Sequence, residues 1–140
     1  MLHEAIAKAM GEAWDELAYE DGPGGNVFID YLPPDPDRCV AVLTRPAPEA
    51  DSKLPFDPVA FQVVTRSPAG DRWALEATEK ITSWLHGKRN ATLSGVSMIY
   101  ALAAQATPIR LGDDNAGRAR YSLEWRAEIN RPTAERPPLD

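Results

Sequence analysis

The chain has 140 residues, 44% hydrophobic and 26% charged, which suits one globular domain and leaves little room for a second core. Its formal net charge of −6 opposes binding along a phosphate backbone, which needs clustered Lys and Arg. One cysteine, Cys39, excludes an internal disulfide and a cysteine-rich zinc site, so a reducing cytoplasm is the simplest compartment.

The start, Met1-Leu2-His3-Glu4, has neither the basic end nor the apolar run of a secretion signal. From Leu2 to Tyr19 the sequence predicts a helix, because Leu2, Ile6, Met10, Trp14 and Leu17 recur at spacings of three and four. Asp21-Gly22-Pro23-Gly24-Gly25 ends it. Short strands are expected over Asn26–Leu32 and Arg38–Arg45, separated by Pro33-Pro34-Asp35-Pro36-Asp37. The stretch 46–57, with prolines at 46, 48 and 55, is a long loop of the kind that is either functional or disordered, and it is the leading candidate for a contact arm.

A third strand is expected over Val59–Arg66, with Phe61, Val63 and Thr65 on one face and Gln62, Val64 and Arg66 on the other. Asp71–His86 is the second helix, striped by Trp73, Ala74, Ala77, Ile81, Trp84 and Leu85 and followed by Gly87. Leu93–Ala104 is apolar on both faces and suits a central strand, with helix as an alternative. After Ile109 and Leu111 comes a turn at Gly112–Gly117. Tyr121, Leu123, Trp125, Ala127 and Ile129 then alternate with polar residues as a half-buried strand. Residues 1–130 thus read as a single α+β domain. It is a mostly antiparallel or mixed sheet of about five to six strands with two helices packed on one face. The proline-rich tail, 131–140, is expected to be mobile unless a partner orders it.

Local signatures of chemistry are weak. His3 and His86 stand at opposite ends of predicted helices and read as structural, and Cys39 reads as a small buried hydrophobe. Asp30, Asp35 and Asp37 gather carboxylates that suit a hard cation but equally suit a turn. Asp113–Glu124 fails as a calcium loop because its sixth position is Arg118 rather than glycine. No catalytic residue, metal or cofactor is expected, and the protein is read as a non-enzyme that docks onto others. A small hydrolase or ligand-binding domain is the alternative from another class.

Three patterns occur in order: Gly-Pro-Gly-Gly-Asn-Val-Phe-Ile (22–29) with Leu-Pro-Pro-Asp-Pro-Asp-Arg-Cys-Val-Ala-Val (32–42); Phe-Gln-Val-Val-Thr-Arg (61–66) before the helix at Trp73–Leu85; and Pro-Ile-Arg-Leu-Gly-Asp-Asp-Asn-Ala-Gly-Arg-Ala-Arg-Tyr-Ser (108–122). Together they resemble the minor-capsid or tail-terminator family of long-tailed bacteriophages over roughly residues 2–130. The loop at 46–57 departs from the pattern, which has a shorter, glycine-rich stretch there. The resemblance implies a virion protein of the head–tail junction, assembled in the host cytoplasm. It implies a homo-oligomeric ring, usually a hexamer, capping the head-proximal end of the tail tube. Implied partners are the tail tube protein and the head–tail connector or stopper; genome DNA passes through unbound, and an acidic lumen would repel it. Another connector, or the terminator of a contractile injection device, is the nearest alternative. For partner contacts the residues of choice are Lys53, Leu54 and Phe56 on the loop, and Arg118, Arg120 and Arg126 on the closing strand.

Overall fold

The computed structural model describes residues 2–14, 17–19, 25–50 and 52–138. Of the expected helix-ending turn only Gly25 falls among them. Leu2, Ile6 and Met10, with Ala5, Ala7 and Ala9 between them, bury most of the circumference of helix α1 (Leu2–Ala13). The helix stops short of the Tyr19 expected from the apolar stripe. Sheet bonds replace helical ones there: the Ala18 carbonyl accepts from the N–H groups of Asn26 and Val27 at 2.8 and 2.9 Å, and Tyr19 bridges Val27. Leu17 is nevertheless buried and Trp14 packs at the core's edge, so apolarity was legible where helicity was not.

Seven strands follow: β1 (Val27–Ile29), β2 (Cys39–Arg45), β3 (Phe56–Pro68), β4 (Arg89–Leu93), β5 (Val96–Ala103), β6 (Ile109–Asp113) and β7 (Arg118–Asn130). Helix α2 (Trp73–Leu85) lies between β3 and β4. The sheet order is β1-β2-β3-β7-β5-β4, and β6 also pairs with β7. Among the described strand pairs β1–β2 is parallel, as is the Tyr19–Val27 bridge, and the others are antiparallel, so the sheet is mixed. The seven strands among the described residues exceed the expected five to six, because residues 89–92, given no element in the sequence reading, join Leu93 as β4 and the strand expected over the run Leu93–Ala104 begins only at Val96. Ser94 and Gly95 take φ of 45° and 83°, turning the chain so that Leu93 pairs Val96. That hairpin also disposes of the helical alternative for the run.

β7 organises the sheet. Along one edge it pairs β3 from Phe56↔Asn130 to Pro68↔Arg118; its other edge is shared by β5 and β6. Its odd-numbered residues Leu123, Trp125, Ala127 and Ile129 enter the core beside Val40, Val42, Phe61 and Val63. Phe61 and Trp125, direct partners, stack with parallel rings 5.9 Å apart. Helix α1 touches β1, β2, β4 and β5, while α2 touches β3, β5 and β7. Trp14, just past α1, meets Trp84 of α2 in an edge-to-face contact at 5.3 Å. Helix α2 begins at Trp73 rather than Asp71: Arg72 holds the N-cap position, and Asp71 and Ser67 lie outside the helix and satisfy its first N–H groups. Asp71 Oδ1 accepts from the Trp73 N–H, and Ser67 Oγ from the Ala74 N–H.

Candidate partner-contact surface

Alternation along β7 sends Arg120, Ser122, Glu124, Arg126 and Glu128 to the side opposite Trp125. Register carries that side across the sheet: Arg66 and Val64 of β3 face Arg120 and Ser122, and Leu102 of β5 and Ile109 of β6 face Arg126 and Ser122. At one end the proline loop 31–37 crosses this side. Tyr31 packs edge-on against Phe28 at 5.6 Å, and the Arg66 guanidinium donates to the Pro36 and Asp37 carbonyls. Toward the other end the side is open. Arg126 is exposed, and so are Leu102 and Ile109, at 40% and 50%.

The structure distributes the three expected arginines differently. Arg118 is largely buried and joins two loops, donating to Asp114 Oδ2 at 2.8 Å, to the Pro34 carbonyl and to Asp37 Oδ1 at 3.3 Å. It is an internal clamp rather than a free contact. The backbone N–H of Arg118 and that of Ala116 hold the Asp114 carboxyl below the usual aspartate range, helped by the Arg118 guanidinium. Asp114 thereby builds the β6–β7 turn, with Gly117 at a φ of 75°. Arg120 lines an open recess of about 390 Å³ with Arg66, Arg118, Leu32 and Pro34. Its Nε is buried without a hydrogen-bond partner.

The loop between β2 and β3 is exposed from 46 to 50 and from 52 to 54. Lys53 and Leu54 belong to it, but Phe56 does not: it is half-buried and opens β3 opposite Asn130. Next to it Asp57 is buried and receives two arginines from the tail. Arg131 reaches Oδ2 and Arg136 reaches Oδ1, each at 2.6 Å, and Arg136 also donates to the Leu54 carbonyl. The segment expected to be mobile is thus fastened to the start of β3 at two points. Burial pushes the Asp57 carboxyl up, but its hydrogen bonds and proximity to Arg136 and Arg131 outweigh this and hold it below the usual range.

The remaining polar groups are structural in their contacts. His3, 6% exposed, reaches both Asp30 Oδ2 at 3.1 Å and the Thr44 hydroxyl at 3.0 Å with the same Nε2. A nucleophilic relay uses opposite ring nitrogens for base and orienting acid. The Thr44 hydroxyl donates instead to Asp30 Oδ1 at 2.7 Å, so the trio ties α1 to β1 and β2. His86 sits just past α2, where Nδ1 accepts from the Ala103 N–H at 2.9 Å. Burial pushes the Cys39 thiol up. Asp30 and Asp37 engage different partners, and among the described residues no three His, Cys, Asp or Glu are placed to hold a metal.

Comparison with known proteins decides the family. A family model described as bacteriophage tail terminator protein matches residues 10–131. The chain belongs to that family. It is a structural component of the virion tail. Among solved structures, a chain from the virion of a native gene transfer agent particle shares its fold. That match has a TM-score of 0.62 and 19% identity over 91% of this chain and 93% of that one. A second solved chain aligns with a TM-score of 0.51 and 16% identity over 89% of this chain and 94% of that one. No curated protein matches in sequence.

Sequence reasoning missed Arg66, Asp57, Arg131 and Arg136 as interacting groups. Arg66 did carry a signal, being a charge in a strand whose other outward positions include Val64. For Asp57 the partners lie 74 and 79 residues away, which no local pattern reveals.

Proposed function

We propose that this tail terminator acts as a ring of identical subunits, a hexamer, that caps the head-proximal end of the tail tube. It stops tube polymerisation there and joins the tail to the head connector. The observation that carries the reading is the open part of the sheet's outward side. Leu102 and Ile109 stand exposed on the side that also holds Arg126. A ring subunit covers such side chains with a neighbour or the tube, and removing their apolar surface from water favours that contact. In this reading both helices share the inward side and leave the outward side to partners. The recesses are open troughs, which suits protein docking better than enclosing a small molecule.

The partners are further copies of the chain, the tail tube protein and the connector or stopper. Contacts between copies are individually weak and jointly sufficient once the tube end gathers them. The net charge of −6 favours an acidic lumen through which DNA passes without sticking. Electron microscopy of the protein with and without purified tail tubes tests the function. Rings on one tube end are expected; protein that ignores tube ends, or tubes that keep growing in its presence, refutes it.

A further inference from the structure

We infer that the Arg66–Arg118–Arg120 recess receives a carboxylate from the next copy of this chain, and that Glu49 supplies it. Arg66 and Arg120 are direct partners across β3 and β7, so two like charges stand side by side on one face. Such a pair is destabilising unless an anion lies between or beside them. Arg66 is 2% exposed and occupied by the Pro36 and Asp37 carbonyls. Arg118 is occupied by Asp114, Asp37 and the Pro34 carbonyl. Arg120 is left over. Its Nε is buried with no partner, and no ion pair joins it among the described residues. Among the described residues the carboxylates paired with these three guanidinium groups are those of Asp37 and Asp114, both through Arg118, so two negative charges stand against three positive ones. A carboxylate completes the set through charge-assisted bonds, the geometry in which Arg is strongest.

The recess selects a side chain rather than a polymer. It measures about 390 Å³ and is walled by Leu32 and Pro34, which suit the methylene stem of a glutamate. A chain of net charge −6 is itself an acidic partner for this basic point. Glu49 is exposed, lies between Pro46-Ala47-Pro48 and Ala50, and has no ion pair or hydrogen bond among the described residues. Neighbouring prolines present it on a stiffened loop, which lowers the ordering cost of docking.

Position makes the contact intermolecular. The loop leads into the first residue of β3, Phe56, and the recess lies by Arg66 near its last, Pro68. Glu49 lines a recess with Phe56 and Pro58, and Arg66 lies ten positions beyond Phe56, roughly 33 Å along the strand, so one copy's Glu49 cannot fill its own arginine recess. Donor and receptor at opposite ends of one strand make a head-to-tail contact, the kind that closes into a ring. The inference rests on the ring reading and specifies its subunit boundary.

The test uses three full-length variants, Arg120→Glu, Glu49→Arg and the charge-swapped double, with Arg120→Gln as a milder control. Ring occupancy of tube ends is counted by electron microscopy, and folding is followed by thermal melting. Each single reversal should lower occupancy by roughly tenfold or more, and the double should recover most of it. Arg120→Glu should melt no lower than wild type, since it relieves the repulsion with Arg66; lost rings with unchanged melting therefore mean a lost contact. Wild-type occupancy in either single variant, or no recovery in the double, overturns the inference while the ring reading stands. A wild-type chain that forms no rings removes both. Oligonucleotide binding that Arg120→Gln abolishes while rings persist reassigns the recess to a phosphate.

Discussion

The Asp57 carboxylate is 3% exposed and carries two arginines, each of them drawn from the last described stretch of the chain. A buried carboxylate with one partner removed is costly, and here removing the acid strands Arg136, which is itself largely buried. Asp57→Asn should therefore destabilise the fold by about 1–3 kcal/mol in chemical denaturation, with the tail freed at the same time. The pH dependence has a definite sign. The folded carboxyl titrates below its ordinary value, so at intermediate pH the unfolded chain binds the extra proton. The stabilisation is complete above the ordinary aspartate value of roughly 3.9 and fades as pH falls through the lower folded value. Wild type should lose stability in that acid window faster than Asp57→Asn; equal slopes would show that the arginines do not set the titration. Residues like this one were beyond sequence reading because burial of the charge depends on the β3–β7 register. Arg66 is the same case, a polar-face residue closed in by the 31–37 loop.

Among the elements, the strongest patterns were the most legible. The strict alternation of Tyr121–Ile129 marked β7, and the stripe from Trp73 to Leu85 marked α2, because each pattern spans enough residues to average out local exceptions. The β4–β5 hairpin was not legible, since β4 is short and largely polar, Leu93–Ala104 reads as apolar on both faces, and the turn between the strands is only Ser94-Gly95. Both turn residues have positive φ, the backbone of a tight hairpin turn. Ser94 bears that conformation without the side chain best suited to it, so Ser94→Asn should stabilise by roughly 0.5 kcal/mol. Gly95 has open space around a notional Cβ, so Gly95→Val meets only backbone strain and should cost about 1–3 kcal/mol. Denaturant midpoints of the two variants should move in opposite directions. Movement of both in the same direction would mean that the turn does not hold the hairpin's register.

At the scale of the molecule, the order and spacing of turns carried the family, while the docking side did not show itself. Leu102 lies in a run that reads as buried on both faces, and Ile109 in a short strand with no pattern of its own. Only the pairing of both with β7 puts them beside Arg126 and opposite Trp125. Their exposure separates folding from assembly, because neither is a large part of the core. Leu102→Asp and Ile109→Asp should each change the stability of the single subunit by no more than about 0.5 kcal/mol. Each charge should nevertheless weaken every subunit boundary or tube contact that covers the outward side. In a ring the same loss recurs at each subunit, so a small local penalty multiplies into a large fall in occupied tube ends. The matched measurement is a denaturation midpoint beside a count of capped tubes from the same preparation. Unchanged midpoints with few capped tubes are expected. Unchanged capping in both variants would show that the outward side faces solvent in the assembled tail.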